Sequence, residues 1–142
     1  MKLAAAIVFF GVLLSSPLTI ASDRHLPAQE GFAGTWDNVD PATRVITKVI
    51  VSVEAGRFQI RAWGKCSPTD CDWGTVPLHL IGSSIEDQSF ERAMATWDHS
   101  WGKSHLMMHL DGAQLVVEAI AIYKVGDRSN HREVLLLRRS HP

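Results

Sequence analysis

The chain is poor in the motifs and residues that mark many enzymes and membrane proteins. Only two of its 142 residues are cysteine and only one is tyrosine. The sequence contains no Gly-x-Ser-x-Gly, no His-Glu-x-x-His and no phosphate-binding loop, the signatures of serine hydrolases, zinc proteases and nucleotide-dependent enzymes. We therefore expect a protein that is not an enzyme and needs no cofactor.

An excess of charge of either sign is also absent. Lys and Arg together number 14 and Asp and Glu 15, which leaves a formal net charge of −1. Nucleic acids and anionic membranes attract proteins mainly through clustered positive charge. The composition therefore argues against both as partners, and leaves a small molecule, a glycan or another protein.

Long apolar runs are missing except at the start of the chain. Residues 3–14 are apolar apart from Gly11, but such a run is shorter than the roughly 20 residues of a membrane span. Lys2 before it and the small residues up to Ala21 after it are typical of a cleaved signal peptide at residues 1–21, with a retained anchor as the alternative. The mature chain would be secreted or periplasmic and would carry no membrane span. Loss of Lys2 leaves 13 basic against 15 acidic residues, a net charge of −2.

No segment of the remaining chain favours a helix, whereas several alternate like strands. In 44–54 one face would carry Val45, Thr47, Val49, Val51 and Val53. The turn Ala55-Gly56 would lead to a second strand, 57–64, with Phe58, Ile60 and Ala62 on one face. Further strands are predicted at 34–39, 73–81, 90–97, 101–110, 113–125 and 131–139, with Pro77 marking an edge, a bulge or a strand end.

About eight strands joined by short connections predict an all-β fold. An antiparallel up-and-down meander can remove its open edges by closing into a small barrel, and a two-sheet β-sandwich is the alternative. The predicted domain covers residues 34–140, and residues 22–33 would form a flexible N-terminal arm. A barrel of this size is filled by side chains or holds one small ligand.

The two cysteines lie at the tip of one predicted hairpin, between Trp63 and Trp73. In an exported chain, Cys66 and Cys71 are expected to form a disulfide that holds the tip. A metal site would need two further ligands, which no second cysteine pair supplies. We predict no metal site.

Other polar residues have local interpretations. Asp37, Asp40, Asp70 and Asp72 flank turns, where aspartate caps backbone groups, although they could also bind Ca²⁺ or serve as the paired carboxylates of a hydrolase. His105 and His109 would share a strand face roughly 13 Å apart, too far for one metal ion. Adjacent Asp98, His99 and Ser100 cannot form a catalytic triad.

The five tryptophans lie near predicted strand ends. An indole offers a flat apolar face and one N–H donor, which suits a small-molecule pocket or stacking on a sugar. The alternative is that the tryptophans plug the barrel ends, and Trp36 is assigned that structural role. The candidate ligand-binding tryptophans are Trp63, Trp73, Trp97 and Trp101.

Two stretches resemble known families. The sequence from Asn38 to Thr47, NVDPATRVIT, followed by WGKC and PTDCDWG between Trp63 and Gly74, resembles a family of mostly uncharacterised small microbial proteins. That resemblance covers about the first half of the mature chain and implies no activity.

Gly34-Thr35-Trp36 resembles the Gly-x-Trp of the calycins, the lipocalin and avidin barrels. The resemblance implies that Arg138 or Arg139 packs on Trp36, with Arg138 assigned, and that Asn38 contacts a ligand. Asp40 and Ala42 depart from the avidin pattern, so biotin binding is not implied.

Two functions follow from these observations. The first is an exported, non-catalytic barrel that binds a small, partly apolar ligand or a glycan. The alternative is a secreted or periplasmic protein inhibitor acting through its N-terminal arm and disulfide loop, because small periplasmic metalloprotease inhibitors resemble such a barrel. The oligomeric state is left open.

Overall fold

The computed structural model describes residues 28–87 and 89–140. A 3₁₀ helix, Ala28–Phe32, precedes nine strands. They are β1 (Gly34–Asn38), β2 (Ile46–Glu54), β3 (Arg57–Gly64), β4 (Cys71–Pro77), β5 (His79–Gly82), β6 (Phe90–Asp98), β7 (Gly102–Asp111), β8 (Gln114–Tyr123) and β9 (His131–Arg139). The predicted signal peptide and residues 22–27 of the predicted arm lie outside the described residues.

All nine strands belong to one antiparallel sheet that curls into a nearly closed barrel. The order across the sheet is β4-β3-β2-β1-β9-β8-β7-β6-β5, so the first and last strands pair with each other. This confirms the predicted all-β meander, and the two-sheet alternative does not form. The additional strand arises because the predicted segment 73–81 divides at Leu78 into β4 and β5.

The two free edges of the sheet, β4 and β5, border a seam in the barrel wall. Pro77 ends β4 and has no N–H to donate to a further strand. The next residue, Leu78, donates its N–H to Phe58 O at 2.9 Å, which keeps it on the β3 side of the seam. One side chain bridges the seam, because Trp97 on β6 donates its indole N–H to Gly74 O on β4 at 3.0 Å.

The core fills the middle of the barrel with inward-facing side chains from alternate strand positions. Strand β2 departs from the predicted alternation, because its pairing with β3 shifts between Ile46 and Lys48. This irregularity buries Ile46 together with Val49 and Val51, whereas Val53 near the turn is 45% exposed. The predicted face of five residues is therefore only partly the buried face.

One end of the barrel is closed by the 3₁₀ helix. Phe32 and Trp36 are buried there, and the Trp36 indole donates to Phe32 O at 2.9 Å. The Arg139 guanidinium lies over the Trp36 ring, 4.3 Å from its centroid, and donates to the carbonyls of Gly31 and Ala33, both at 2.6 Å. The arginine on Trp36 is thus Arg139, while Arg138, which was assigned to this position, is exposed.

The same contacts hold part of the predicted N-terminal arm. Its described part, Ala28 to Ala33, is held at the closed end through Phe32 and the two carbonyls that Arg139 contacts. Within the described ranges, the chain has no helix of the length and apolarity that crossing a membrane requires.

Candidate ligand-binding site at the open end of the barrel

The opposite end of the barrel contains a cavity of about 830 Å³. Its wall is built where β3, β6 and β8 end and where β4, β7 and β9 begin. The volume falls in the range of about 300–1,000 Å³ that is typical of small-molecule sites. The floor is formed by inward residues of β7 and β8, namely Ser104, Leu106, Ala119 and Ala121.

Five aromatic rings follow one another around the cavity wall. Trp73 meets His99 edge-on with ring centroids 5.1 Å apart, and His99 stacks on Trp101 at 4.6 Å with the planes only 8° apart. Trp101 contacts Tyr123 at 5.2 Å, and Tyr123 stacks on His131 at 5.9 Å. We call these five residues the aromatic arc. It offers flat apolar faces beside several polar ring atoms.

The position of Trp73 depends on a glycine in the neighbouring strand. A Cβ atom at Gly64 would lie 2.7 Å from Trp73 Nε1, so any other residue there would displace the indole from its present position. Buried Trp97 supports the same ring edge-on at a centroid distance of 5.7 Å. Gly64 and Trp97 therefore position the arc, although Trp97 is not among the lining residues.

A polar pair lies within this aromatic surface. His99 Nε2 and Ser104 Oγ are 3.1 Å apart and share a hydrogen bond whose donor depends on the imidazole tautomer. Burial lowers the pKa of His99 below its ordinary value, although Asp98 acts in the opposite direction. The ring is therefore neutral at neutral pH, and the pair can offer both a donor and an acceptor to a bound molecule.

The predicted disulfide is present and stiffens one part of the cavity rim. Cys66 and Cys71 are bonded, with their Cα atoms 5.4 Å apart, and both line the cavity. Next to them, Asp72 accepts hydrogen bonds from Arg61 and from the Gly74 N–H. The Arg61 guanidinium is the main reason that the pKa of Asp72 falls to about 2. The tip is thus cross-linked by a covalent bond and by an ion pair.

The predicted ligand residues are distributed over different parts of the molecule. Trp73 and Trp101 line the cavity. Trp63 is not among its lining residues. Its ring instead contacts two cations, Lys48 at 4.6 Å and Arg61 at 5.1 Å from the ring centroid. Asn38 uses both ends of its amide locally, donating to Ile46 O and accepting from the Asp40 N–H.

Reasoning from the sequence did not identify His99, Ser104, Tyr123 and His131. One available signal was strand parity. Tyr123 has the same parity as the buried Leu115 and Val117, and His131 has that of Leu137. His99 carried no comparable signal, because it lies between strands and its position depends on the turn from β6 to β7.

The remaining polar candidates have local roles. Asp40 and Asp72 accept backbone N–H groups at turns, as capping aspartates do. His105 shares a hydrogen bond with Thr96 at 2.9 Å. In residues 28–87 and 89–140, no group of three or more His, Cys, Asp or Glu residues is arranged to hold a metal ion.

Comparison with known proteins adds no functional assignment. No family model, no curated protein and no solved structure matches the chain.

Proposed function

We propose that this chain is an exported, non-catalytic binding protein whose open barrel end takes up a small, partly apolar ligand with a flat face, either an aromatic compound or a glycan. The observation that carries the proposal is the aromatic arc around a cavity of about 830 Å³. Flat rings bind to such a wall by stacking, and the barrel scaffold holds the wall in place before the ligand arrives.

Export is supported by two features. The first 21 residues follow the pattern of a signal peptide. The Cys66–Cys71 disulfide is compatible with an oxidising compartment, where such bonds persist.

The absence of catalysis is proposed from the surroundings of Ser104. A serine activated by histidine normally needs a third group that orients the imidazole. Among the described residues, the other ring nitrogen of His99 makes no hydrogen bond. The pair is better suited to anchoring a ligand's carbonyl or hydroxyl group.

The first experiment screens small aromatic compounds and oligosaccharides by tryptophan fluorescence. Trp101→Leu should abolish the response, because Trp101 is 40% exposed and lines the cavity. Trp63→Leu is the matched control and should preserve binding, since Trp63 lies outside the cavity lining. Equal loss in both variants, or no response to any compound, would contradict the proposal.

Two further measurements test its other parts. A chain that begins at Ala28 should bind as the full chain does, because none of the described residues before Arg44 lines the cavity. The parent protein should hydrolyse nitrophenyl acetate no faster than the Ser104→Ala variant does. Ester turnover that depends on Ser104 would overturn the non-catalytic assignment.

A further inference from the structure

We infer that the preferred ligand is a planar aromatic anion, with its ring on the aromatic arc and its negative group facing Arg44 and Arg128 at the cavity rim. This inference rests on the proposed function and adds the chemical class of the ligand. It comes from the charges that remain at the rim after internal ion pairs are accounted for.

Two of the charged residues lining the cavity are already compensated by neighbours. Lys65 pairs with Asp70 at 3.5 Å, and Asp72 pairs with Arg61. Both pairs belong to the hairpin that carries the disulfide. That side of the rim therefore presents little net charge to a ligand.

The other lining charges have no ion-pair partner in the part of the chain that the structure describes. They are Arg44, just before β2, and Asp127 and Arg128, in the loop between β8 and β9. Two cations against one anion leave a local excess of positive charge. This excess is opposite in sign to the chain's formal net charge of −1, so it belongs to this rim and not to the surface as a whole.

The two arginines border the arc where β2 and β9 begin. Arg128 lies over the Tyr123 ring, 5.6 Å from its centroid, and Tyr123 stacks on His131. A guanidinium that already lies on an aromatic face can bind a carboxylate in its own plane while the ligand ring stacks on Trp101 or Tyr123. His99 adds no charge to the cavity, because burial lowers its pKa and keeps the ring neutral at neutral pH.

The test compares three planar probes of similar shape by isothermal titration calorimetry. These are 2-naphthoate, the neutral 2-naphthamide and the cation 2-naphthylmethylamine. We expect 2-naphthoate to bind most tightly, by about two- to tenfold over the amide, since exposed charges contribute modestly. Its advantage should shrink as salt is added, because salt screens rim charges.

Charge substitutions at the rim show whether the preference for an anion arises from the rim residues or from the charge of the protein as a whole. Arg44→Gln and Arg128→Gln should each weaken the binding of 2-naphthoate about two- to fivefold and leave the affinity for 2-naphthamide unchanged. Asp127→Asn should strengthen the binding of 2-naphthoate, because it removes a negative charge from the rim. Arg57→Gln is the matched control, because Arg57 starts β3 and therefore lies at the closed end. It should alter none of the three affinities.

The outcomes separate this inference from the proposed function. If the three probes bind equally and Trp101→Leu abolishes all of them, the binding function stands and the anion preference is wrong. Tightest binding of the amine would also overturn the preference. If none of the three probes binds, the anion preference is wrong, and the binding function is contradicted as well when the oligosaccharides of the fluorescence screen also give no response.

Discussion

Arg139 joins the first and last parts of the described chain through three contacts. Its guanidinium covers Trp36 and donates to Gly31 O and Ala33 O, residues more than 100 positions earlier in the sequence. The contacts hold the 3₁₀ helix against the barrel. A single side chain thus supports the closed end, although its residue is exposed to solvent.

Replacing Arg139 should therefore destabilise the fold. We expect Arg139→Gln to lower the free energy of unfolding by about 1–3 kcal/mol, through the lost cation–π contact and the two carbonyls left without their donor. Urea denaturation measures this change. Arg138→Gln is the neighbouring control and should shift stability by less than about 0.5 kcal/mol. Equal effects of the two substitutions would show that Arg139 does not hold the helix.

His99 should make stability depend on pH. Burial lowers its pKa in the folded state, so below the unfolded value of about 6.5 the unfolded chain binds more protons than the folded one. Stability should consequently fall as pH drops through that value, and this fall should stop below the folded pKa. Urea midpoints measured across this pH range should change less in His99→Gln than in the parent. Identical slopes in the two proteins would mean that folding does not lower the pKa of His99.

At the scale of elements, β7 and β8 approach each other closely beside the aromatic arc. A Cβ atom at Gly102 would lie 2.1 Å from Ile122 O and 3.0 Å from Tyr123 Cα, both of them backbone atoms. Because backbone cannot move aside as a side chain can, the two strands would have to separate. Gly102 is thus required for the spacing of Trp101 and Tyr123.

We expect Gly102→Ala to cost about 1–3 kcal/mol of stability, the usual range for overpacking, and to weaken ligand binding as well. Gly126→Ala is the control, since no atom lies within 4 Å of a Cβ atom built there. It should alter stability by no more than about 0.5 kcal/mol. A neutral Gly102→Ala would mean that β7 and β8 tolerate a wider spacing.

The strands themselves could largely be predicted from the sequence, because turns and alternation are local signals. The predicted bounds of β3 and β9 agree with the structure, as does the turn at Ala55-Gly56. The failures have non-local causes. The shift in pairing between Ile46 and Lys48 depends on the facing strand β3, and the division at Leu78 depends on which neighbour each half pairs with.

At the scale of the whole molecule, the site combines residues that are far apart in the sequence. Trp73 and His131 belong to one arc only because β1 pairs with β9 and brings the two halves of the meander together. No local pattern encodes this closure. Parity could have identified Tyr123, and it could also have excluded Trp63, which lies on the opposite face of β3 from the buried Ile60 and Ala62.

The most direct test of the proposed site is an NMR titration of the five tryptophan indole N–H signals with the tightest of the three naphthyl probes. Trp73 and Trp101 line the cavity, so their signals should shift with the same dissociation constant as calorimetry yields. Trp63 lies outside the cavity lining and Trp36 is buried at the closed end, so their signals should stay in place. Shifts at Trp36 or Trp63 with unchanged Trp73 and Trp101 would contradict a binding site at the open end of the barrel.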